Sequence, residues 1–274
     1  MIKKIAIQGI KGSFHDQVVE ENYPYGPELI QSPSFDALAQ AVASGTCDQA
    51  VMAIENSIAG SILPNYALLD QYELVITGEH YLSIEHNLMA LVGQKIEDIQ
   101  EVHSHPMALL QCKIFFRDYP HIKLVESNDT AEEAMRISEK KITARGAIAG
   151  NRAAEIYGLE ILSPSIQTIK NNVTRFVIVQ KAKAEKSNDI NKAAWKFVLD
   201  HKRGSLATAL NVVSDCNLNL TKIQSLPVIE TPGKYAFFVD VTFDQLKDYI
   251  KAKSLLEIMA TAFKVLGEYR SGKS

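Results

Sequence analysis

The stretch SFDALAQAVASGTCDQAVMAIENS, Ser34–Ser57, contains one complete helix-to-strand unit. Apolar residues recur at helical spacing up to Ser44, and Gly45 follows, whose freedom at positive φ suits the carboxyl end of a helix. The run QAVMAI, Gln49–Ile54, then predicts a buried strand. A helix that leads into a buried strand is the repeating unit of α/β sheets.

The same alternation extends on both sides of this stretch. IKKIAIQ, Ile2–Gln8, predicts a strand that leads into the turn Gly9–Ser13, and GAIAG, Gly146–Gly150, predicts a strand followed by a helix. Thr130 and Glu133 form a predicted capping box at the start of the helix AEEAMRISEKK. We therefore expect an α/β sandwich with a largely parallel sheet.

The order of elements changes after the polar segment KAKAEKSNDINKA, Lys181–Ala193. Beyond it the pattern predicts strand, helix, strand, strand, helix and strand within about 80 residues, which is the ferredoxin-like βαββαβ plan. The predicted elements are WKFVLD, SLATALNVVSDC, LTKIQSLPV, KYAFFVDV, DYIKAKSLLEIMATAF and FKVLGEY. We predict a first domain over 1–182, a linker over 183–193 and a second domain over 194–271.

Composition narrows the class of partner. A chain of 274 residues with 46% hydrophobic content has enough apolar material for two cores. The net charge of -3, with both signs interleaved, predicts no nucleic-acid partner, and no run reaches the roughly 18 apolar residues of a membrane span. Three widely spaced cysteines are typical of buried thiols in a reducing compartment, so we expect a cytoplasmic protein that binds small molecules or copies of itself.

Polar residues that follow predicted strands are the candidate ligand contacts, because ligands collect at the carboxyl ends of strands in open α/β sheets. Asn56 and Ser57 follow the strand that ends at Ile54. Ser104 is placed as a helix cap, and two turns of helix bring Gln111 onto its face.

Two other kinds of site are disfavoured by the residue patterns. The turn GIKGSFHD can cradle an anion but lacks the glycine spacing of a nucleotide site. His103, His105 and His121 have no carboxylate or cysteine at ligand spacing, so we predict no metal site.

Five segments, in this order, carry a family resemblance: AIENSIAGSI, SHPMALLQC, NDTAEEA, GAIAGNRAAEIYGLEIL and NNVTRF. Together they resemble the prephenate dehydratase family, whose members make phenylpyruvate for phenylalanine biosynthesis. The second domain is similar to an ACT regulatory domain through GSLATAL, NLTKIQSLP and KYAFFVDV.

The resemblance implies a two-lobed catalytic domain like that of type II periplasmic binding proteins, with residues from about 79 to 159 as the second lobe and prephenate in the cleft. It implies no cofactor and no metal. Two alternatives stay open: an arogenate dehydratase, and a ligand-sensing binding protein without catalysis.

The family's functional positions map onto single residues of this chain. The resemblance implies that Thr174 is catalytic and that its substrate-binding neighbours are Asn56, Ser57, Ser104, Gln111, Asn172 and Arg175. Arg175 either reaches a substrate carboxylate or pairs with an acidic residue, since neighbouring side chains on a strand face opposite ways. His15 is a weaker candidate for a proton donor.

The resemblance also implies an inhibitory phenylalanine site in the second domain. Its predicted residues are Gly204, Ser205, Leu206, Asn219, Gln224, Ser225, Leu226 and Pro227. Here QSLP stands where relatives have ESRP, and RGSL where they have PGAL, so whether phenylalanine inhibits stays open. The exposed edge of a ferredoxin-like sheet and the resemblance predict a homodimer or a dimer of dimers.

Overall fold

A computed structural model of the chain describes residues 3–181, 189–228, 231 and 233–272. Residues 183–188 of the predicted linker lie outside the described residues. The described chain divides into two compact units. The first consists of residues up to Gly60 together with Tyr81–Phe176, and the second of Ser61–His80 together with the residues from Val177 onward.

Strands and helices alternate along the described chain. The strands are β1 Lys4–Gln8, β2 Glu28–Ser32, β3 Gln49–Asn56, β4 Gly60–Ser61, β5 Leu74–Ser83, β6 Asn87–Leu91, β7 Glu101–Ser104, β8 Lys123–Glu126, β9 Arg145–Ala149, β10 Leu159–Ser163, β11 Val173–Lys181, β12 Lys192–Val198, β13 Asn219–Pro227, β14 Tyr235–Thr242 and β15 Ala262–Tyr269. The α-helices are α1 Phe14–Asn22, α2 Phe35–Ser44, α3 Leu63–Gln71, α4 Pro106–Cys112, α5 Thr130–Lys140, α6 Asn151–Tyr157, α7 Ser205–Asp215 and α8 Leu246–Met259. Two single turns of 3-10 helix cover Ile96–Asp98 and Phe115–Asp118.

The helix-to-strand unit predicted from the opening stretch is confirmed. The Ser34 hydroxyl accepts a hydrogen bond from the amide of Ala37 at 3.1 Å and caps α2. Gly45 ends the helix at a φ of 79°, in the left-handed region that favours glycine. The chain then enters β3, and β1 pairs in parallel with both β3 and β2.

The rest of the first unit is built on a second sheet, with strand order β10-β6-β9-β7-β8. β7 is parallel to β8 and β9, whereas β6 is antiparallel to β9 and β10. The fully buried side chains of Leu88, Val102 and Ile148 lie in its core. Two sheets within one unit agree with a two-lobed α/β domain, so the predicted fold class is confirmed for this part of the chain.

The predicted capping box at the start of α5 is wrong by one residue. Asp129 is the N-cap, and its carboxylate accepts from the amides of Ala131 at 2.7 Å and Glu132 at 3.0 Å. An ionised carboxylate is a stronger acceptor than a threonine hydroxyl and also suits the positive end of the helix dipole.

The second unit has the predicted βαββαβ order, from β12 to β15. Its sheet runs β13-β14-β12-β15 with antiparallel pairs, and β5 joins β15 in parallel. Trp195 and Tyr249 stack in its core with ring centroids 5.7 Å apart. α8 ends at Met259, before the predicted end at Phe263, because β15 begins at Ala262. None of the helices in the described residues has the length and apolar character needed to cross a membrane.

Candidate active site

Four of the predicted site residues form one hydrogen-bonded group in the first unit. The side-chain nitrogen of Asn56 lies 2.7 Å from Asn172 Oδ1 and 2.9 Å from Thr174 Oγ1. The side-chain nitrogen of Asn172 lies 2.9 Å from Gln111 Oε1. Residues more than a hundred positions apart are thus joined where β3 ends, where β11 begins and on α4.

The orientation of the Asn56 amide decides the direction of these bonds. Its Oδ1 accepts from the main-chain amides of Ile58 at 3.0 Å and Ala59 at 2.9 Å. The amide NH₂ therefore faces Thr174, and because NH₂ can only donate, the Thr174 oxygen accepts. The hydroxyl hydrogen of Thr174 stays available for another acceptor. Thr174 is 8% exposed, so this donor is shielded from bulk water.

Gln111 receives a second donor from a histidine that the sequence reasoning missed. His86 Nε2 lies 3.0 Å from Gln111 Oε1, and burial lowers the pKa of His86 to about 4, which keeps the ring neutral at ordinary pH. Because a carbonyl oxygen only accepts, Nε2 carries the hydrogen and donates. In an alternating strand pattern His86 shares a face with the apolar residues Ile84 and Leu88, and this polar residue on an apolar face was the available sequence signal.

Ser57 holds the segment that carries Asn172 and Thr174. Its hydroxyl accepts from the amide of Val173 at 3.0 Å and lies 3.3 Å from the carbonyl of Asn171. Its own amide donates to the carbonyl of Val173 at 2.9 Å. These bonds fix β11 against the end of β3, and a contact of Ser57 with substrate stays a prediction.

Ser104 is not the helix cap that the sequence analysis expected. It ends β7, is fully buried, and its hydroxyl donates to the carbonyl of Ile148 at 2.7 Å. The N-cap of α4 is His105, whose Nδ1 accepts from the amide of Met107 at 3.2 Å. A contact between Ser104 and substrate stays a prediction.

Arg175 and His15 are both buried close to this group. Arg175 is 5% exposed and follows Thr174 on β11, so its side chain leaves the opposite face of the strand and both predicted roles stay open. The His15 ring packs on Phe176 at 5.0 Å between centroids, and burial lowers its pKa to about 3. A ring that is neutral at pH 7 is a poor proton donor, which disfavours His15 in that role.

Among the histidines considered for a metal site, His103 pairs with a carboxylate, and its Nε2 lies 3.0 Å from Glu101 Oε2. Across the ranges that the structure describes, no group of three or more histidine, cysteine, aspartate or glutamate side chains could hold a metal ion.

The predicted regulatory residues lie at two places in the second unit. Gly204, at a φ of 82°, precedes α7, which Ser205 and Leu206 begin. Ser205 and Leu206 line a cavity of about 120 Å³ together with Tyr235 and neighbouring residues. The others lie on the edge strand β13, where Asn219 is the first residue and Gln224, Ser225, Leu226 and Pro227 are the last four.

Comparisons with known proteins agree with the fold and with the family resemblance. The family model described as prephenate dehydratase matches residues 5–184. Arogenate dehydratase/prephenate dehydratase 2 of Arabidopsis thaliana is 36% identical, over 97% of this chain and 72% of that protein. A solved structure described as GqqA, a novel type of quorum quenching acylases, has a TM-score of 0.89 at 27% identity and covers 99% of both chains. The prephenate dehydratase of Arthrobacter aurescens in complex with L-Phe has a TM-score of 0.88 at 24% identity, over 98% of this chain and 90% of that chain.

Proposed function

The chain belongs to the prephenate dehydratase family, and we propose that within it Thr174 donates the hydrogen bond that lets the hydroxyl group of prephenate depart. The enzyme is a carbon–oxygen lyase that converts prephenate to phenylpyruvate. The observation that carries the role of Thr174 is its bond to Asn56, because that bond uses the oxygen and leaves the hydrogen free.

The chemistry of prephenate defines what the site must do. The substrate is a cyclohexadiene with two carboxylates and a ring hydroxyl. The bond from the ring to one carboxylate breaks, its electron pair completes the aromatic ring, and CO₂ leaves as the carbon–oxygen bond releases hydroxide. Aromaticity supplies the driving force, so catalysis consists of holding the dianion and stabilising the departing oxygen.

A threonine alcohol is too weak an acid to give up its proton outright near neutral pH. It stabilises the developing hydroxide as a hydrogen-bond donor, and the proton that completes a water molecule comes from solvent. The bond from Asn56 to Thr174 Oγ1 strengthens the hydroxyl as a donor, because hydrogen bonds in a chain polarise one another.

Neutral amides supply the contact with a carboxylate. The Gln111 oxygen accepts from both Asn172 and His86, which leaves the Gln111 NH₂ without a protein acceptor among the described residues. An NH₂ group can bind a carboxylate without adding a full charge to the site. Arg175 is the alternative anchor, if its guanidinium reaches the substrate.

The test compares Thr174→Val with Thr174→Ser. Valine keeps the shape of threonine but removes the donor, so we expect kcat for phenylpyruvate release to fall about 100-fold to 1,000-fold. Serine keeps the hydroxyl and should retain activity within about tenfold of the wild type. A Thr174→Val enzyme with near wild-type kcat would show that the donor is another group, and a wild type that forms no phenylpyruvate would favour the ligand-sensing alternative.

Arogenate is the second candidate substrate, because the Arabidopsis relative carries both activities in its name. Arogenate has an amino acid side chain where prephenate has a keto acid. Measurement of kcat/KM for both substrates with one enzyme preparation decides between them, and a higher value for arogenate would reverse our assignment.

An acylase activity is less well supported by the site. An acyl-transfer nucleophile needs a base that takes its proton. The Thr174 oxygen instead accepts a hydrogen bond from Asn56, which withdraws electron density from it. We expect no hydrolysis of an N-acyl amide under conditions in which prephenate is consumed.

We also propose that L-phenylalanine binds in the second unit, near Gly204, Leu206 and Asn219, between the subunits of a homodimer or a dimer of dimers. Support comes from the cavity lined by Leu206, from the edge position of β13, and from the L-Phe bound to the prephenate dehydratase of Arthrobacter aurescens. Titration calorimetry should show heat with L-phenylalanine and none with D-phenylalanine. Absence of heat together with an unchanged melting temperature would remove the proposal.

A cytoplasmic location is likewise our proposal. Its support is that Cys47, Cys112 and Cys216 are buried free thiols, which suits a reducing compartment. Cell fractionation tests it.

A further inference from the structure

The hydrogen-bond network around Thr174 ends at His86, immediately before β6. The main chain of His86 is fixed on both sides: its amide donates to Gln167 Oε1 at 2.9 Å, and its carbonyl accepts from the amide of Ile166 at 2.7 Å. The ring is edge-on to Phe14, with centroids 5.8 Å apart, and the residue is 5% exposed. The main chain of His86 is therefore fixed, and its ring is buried against an aromatic side chain.

A histidine at position 86 lowers the stability of the folded state. His86 Nδ1 is buried and has no hydrogen-bond partner among the described residues. A buried acceptor without a partner destabilises the folded state, and an apolar side chain of similar size would avoid that loss. The presence of a histidine is better explained by what its Nε2–H does than by the packing of its ring.

The group on which Nε2–H acts is the Gln111 amide. Gln111 Oε1 lies 3.0 Å from His86 Nε2 and 2.9 Å from Asn172 Nδ2. If the amide rotated by half a turn, its NH₂ would meet these two donors, which is unfavourable. The two donors together fix the Gln111 NH₂ on the other side, where it has no acceptor in the described protein.

We propose that His86 is a positioning residue, which holds the Gln111 amide in the one orientation that offers its NH₂ to the side-chain carboxylate of prephenate, the one that phenylpyruvate retains. This inference rests on the proposed function of the site. It assigns to His86 an effect on substrate affinity through Gln111, and no direct part in the departure of the hydroxyl. Burial lowers the pKa of the ring to about 4, so the ring is neutral at neutral pH. The Gln111 oxygen, which can only accept, then selects the tautomer with hydrogen on Nε2.

The experiment uses two substitutions of His86 in the full-length enzyme. His86→Leu removes the donor, so KM for prephenate should rise about tenfold while kcat changes less than about threefold. Its melting temperature should equal or exceed that of the wild type, because the buried Nδ1 is gone. His86→Gln can place an amide donor near the position of Nε2 and should recover most of the affinity. Loss of stability without a rise in KM would show a merely structural role.

His15→Leu is the matched control. His15 is also buried and also has a ring nitrogen without a hydrogen-bond partner among the described residues, but no hydrogen bond joins it to Gln111 there. We expect its KM to stay within about threefold of the wild type. An equal rise in KM for both leucine variants would overturn the inference, and so would a His86→Gln variant as impaired as His86→Leu.

Two measurements separate this inference from the proposed function. Calorimetric affinity for phenylpyruvate tests the carboxylate contact even if the wild type fails to turn over prephenate. Nitrogen-15 NMR of histidine-labelled wild type tests the tautomer even if His86→Leu fails to fold. Hydrogen on Nδ1 in that spectrum, or equal phenylpyruvate affinity in the wild type and a folded His86→Leu variant, would overturn the inference whatever the activity.

Discussion

The side-chain nitrogen of Asn56 lies 2.9 Å from the hydroxyl oxygen of Thr174, and the Asn56 oxygen is occupied by two main-chain amides. The direction of the bond is therefore fixed by the backbone that follows β3. Asn56 thus occupies the oxygen of the Thr174 hydroxyl and leaves its hydrogen available for a further acceptor.

This direction predicts that Asn56→Asp is worse than Asn56→Ala. Aspartate keeps an acceptor for the amides of Ile58 and Ala59 but replaces the donor with a second acceptor. The Thr174 hydroxyl would then donate its hydrogen to the carboxylate, and this hydrogen would no longer be available to the substrate. We expect kcat of the aspartate variant to fall about 100-fold to 1,000-fold.

Alanine at position 56 removes the donor without competing for the Thr174 hydrogen, so its kcat should fall about tenfold. Steady-state rates of both variants, with circular dichroism to verify folding, test the order. If the alanine variant were the slower of the two, the direction of the Asn56–Thr174 bond would be the reverse of the one inferred here.

Motifs in the sequence predict Asn56, Gln111, Asn172 and Thr174 as members of the candidate site, but they do not predict the contacts between them. The structure joins these four side chains by hydrogen bonds. The bond between Asn56 and Thr174 joins residues more than a hundred positions apart. It depends on how the strands pair, and no local sequence pattern indicates it. His86 was missed although a polar residue between Ile84 and Leu88 was an available signal, because its partner Gln111 belongs to a different element, 25 positions along the chain.

Element types were predicted better than element ends. The βαββαβ order after Lys192 follows from periodicity alone, whereas the end of α8 at Met259 depends on strand pairing that begins at Ala262. Sequence separation also hid the fact that Ser61–His80 belongs to the second unit. Its β5 pairs with β15 through Ile76 and Gly267, a contact between positions far apart in the chain.

An ion pair within the first unit joins α1 to α6. Arg152 Nε lies 2.6 Å from Asp16 Oδ2, and the guanidinium also pairs with Glu20. Asp16 is 2% exposed, so Arg152→Met leaves its carboxylate buried, with the Gly12 amide as its remaining hydrogen-bond partner in the part of the chain that the structure describes. We expect a loss of about 2 kcal/mol in the free energy of unfolding.

The two helices follow strands of the two different sheets of this unit, so loosening them should also raise KM for prephenate. The double variant Asp16→Asn with Arg152→Met removes the unpaired charge and should recover most of the stability. Chemical denaturation measures the stabilities, and a double variant no more stable than Arg152→Met would contradict the role assigned to the charge of Asp16.

A buried ion pair in the second unit gives a larger predicted effect. Lys192 Nζ lies 2.8 Å from Glu79 Oε2, and the two side chains are 3% and 0% exposed. Lys192→Met should destabilise the second unit by about 3 to 5 kcal/mol, because it leaves a buried carboxylate without its cation. The fluorescence of Trp195, the single tryptophan and a fully buried residue, reports unfolding of this unit.

Lys202→Met is the control. The Lys202–Asp200 pair is exposed to solvent, so its loss should leave the unfolding midpoint unchanged. The double variant Glu79→Gln with Lys192→Met should be more stable than Lys192→Met alone. Equal midpoints for Lys192→Met and Lys202→Met would mean that the buried pair adds no stability.

His15 predicts a specific dependence of stability on pH. Burial lowers its pKa from 6.5 to about 3, so between these values the unfolded chain binds a proton that the folded chain does not. Stability therefore falls as pH decreases through 6.5 toward 3. Between pH ~7 and pH ~5, His15 should lower the free energy of unfolding by about 2 kcal/mol, and His15→Leu should abolish this loss. His86, also neutral when folded, contributes a similar fall in stability to both proteins, so its effect cancels in the comparison.

Denaturant unfolding at the two pH values measures the difference in stability between the wild type and His15→Leu. The substitution His121→Asn, at an exposed histidine, is the control that should behave like the wild type. If His15→Leu lost as much stability as the wild type on acidification, the imidazole of His15 would have to be protonated in the folded protein, and the argument against it as a proton donor would no longer hold.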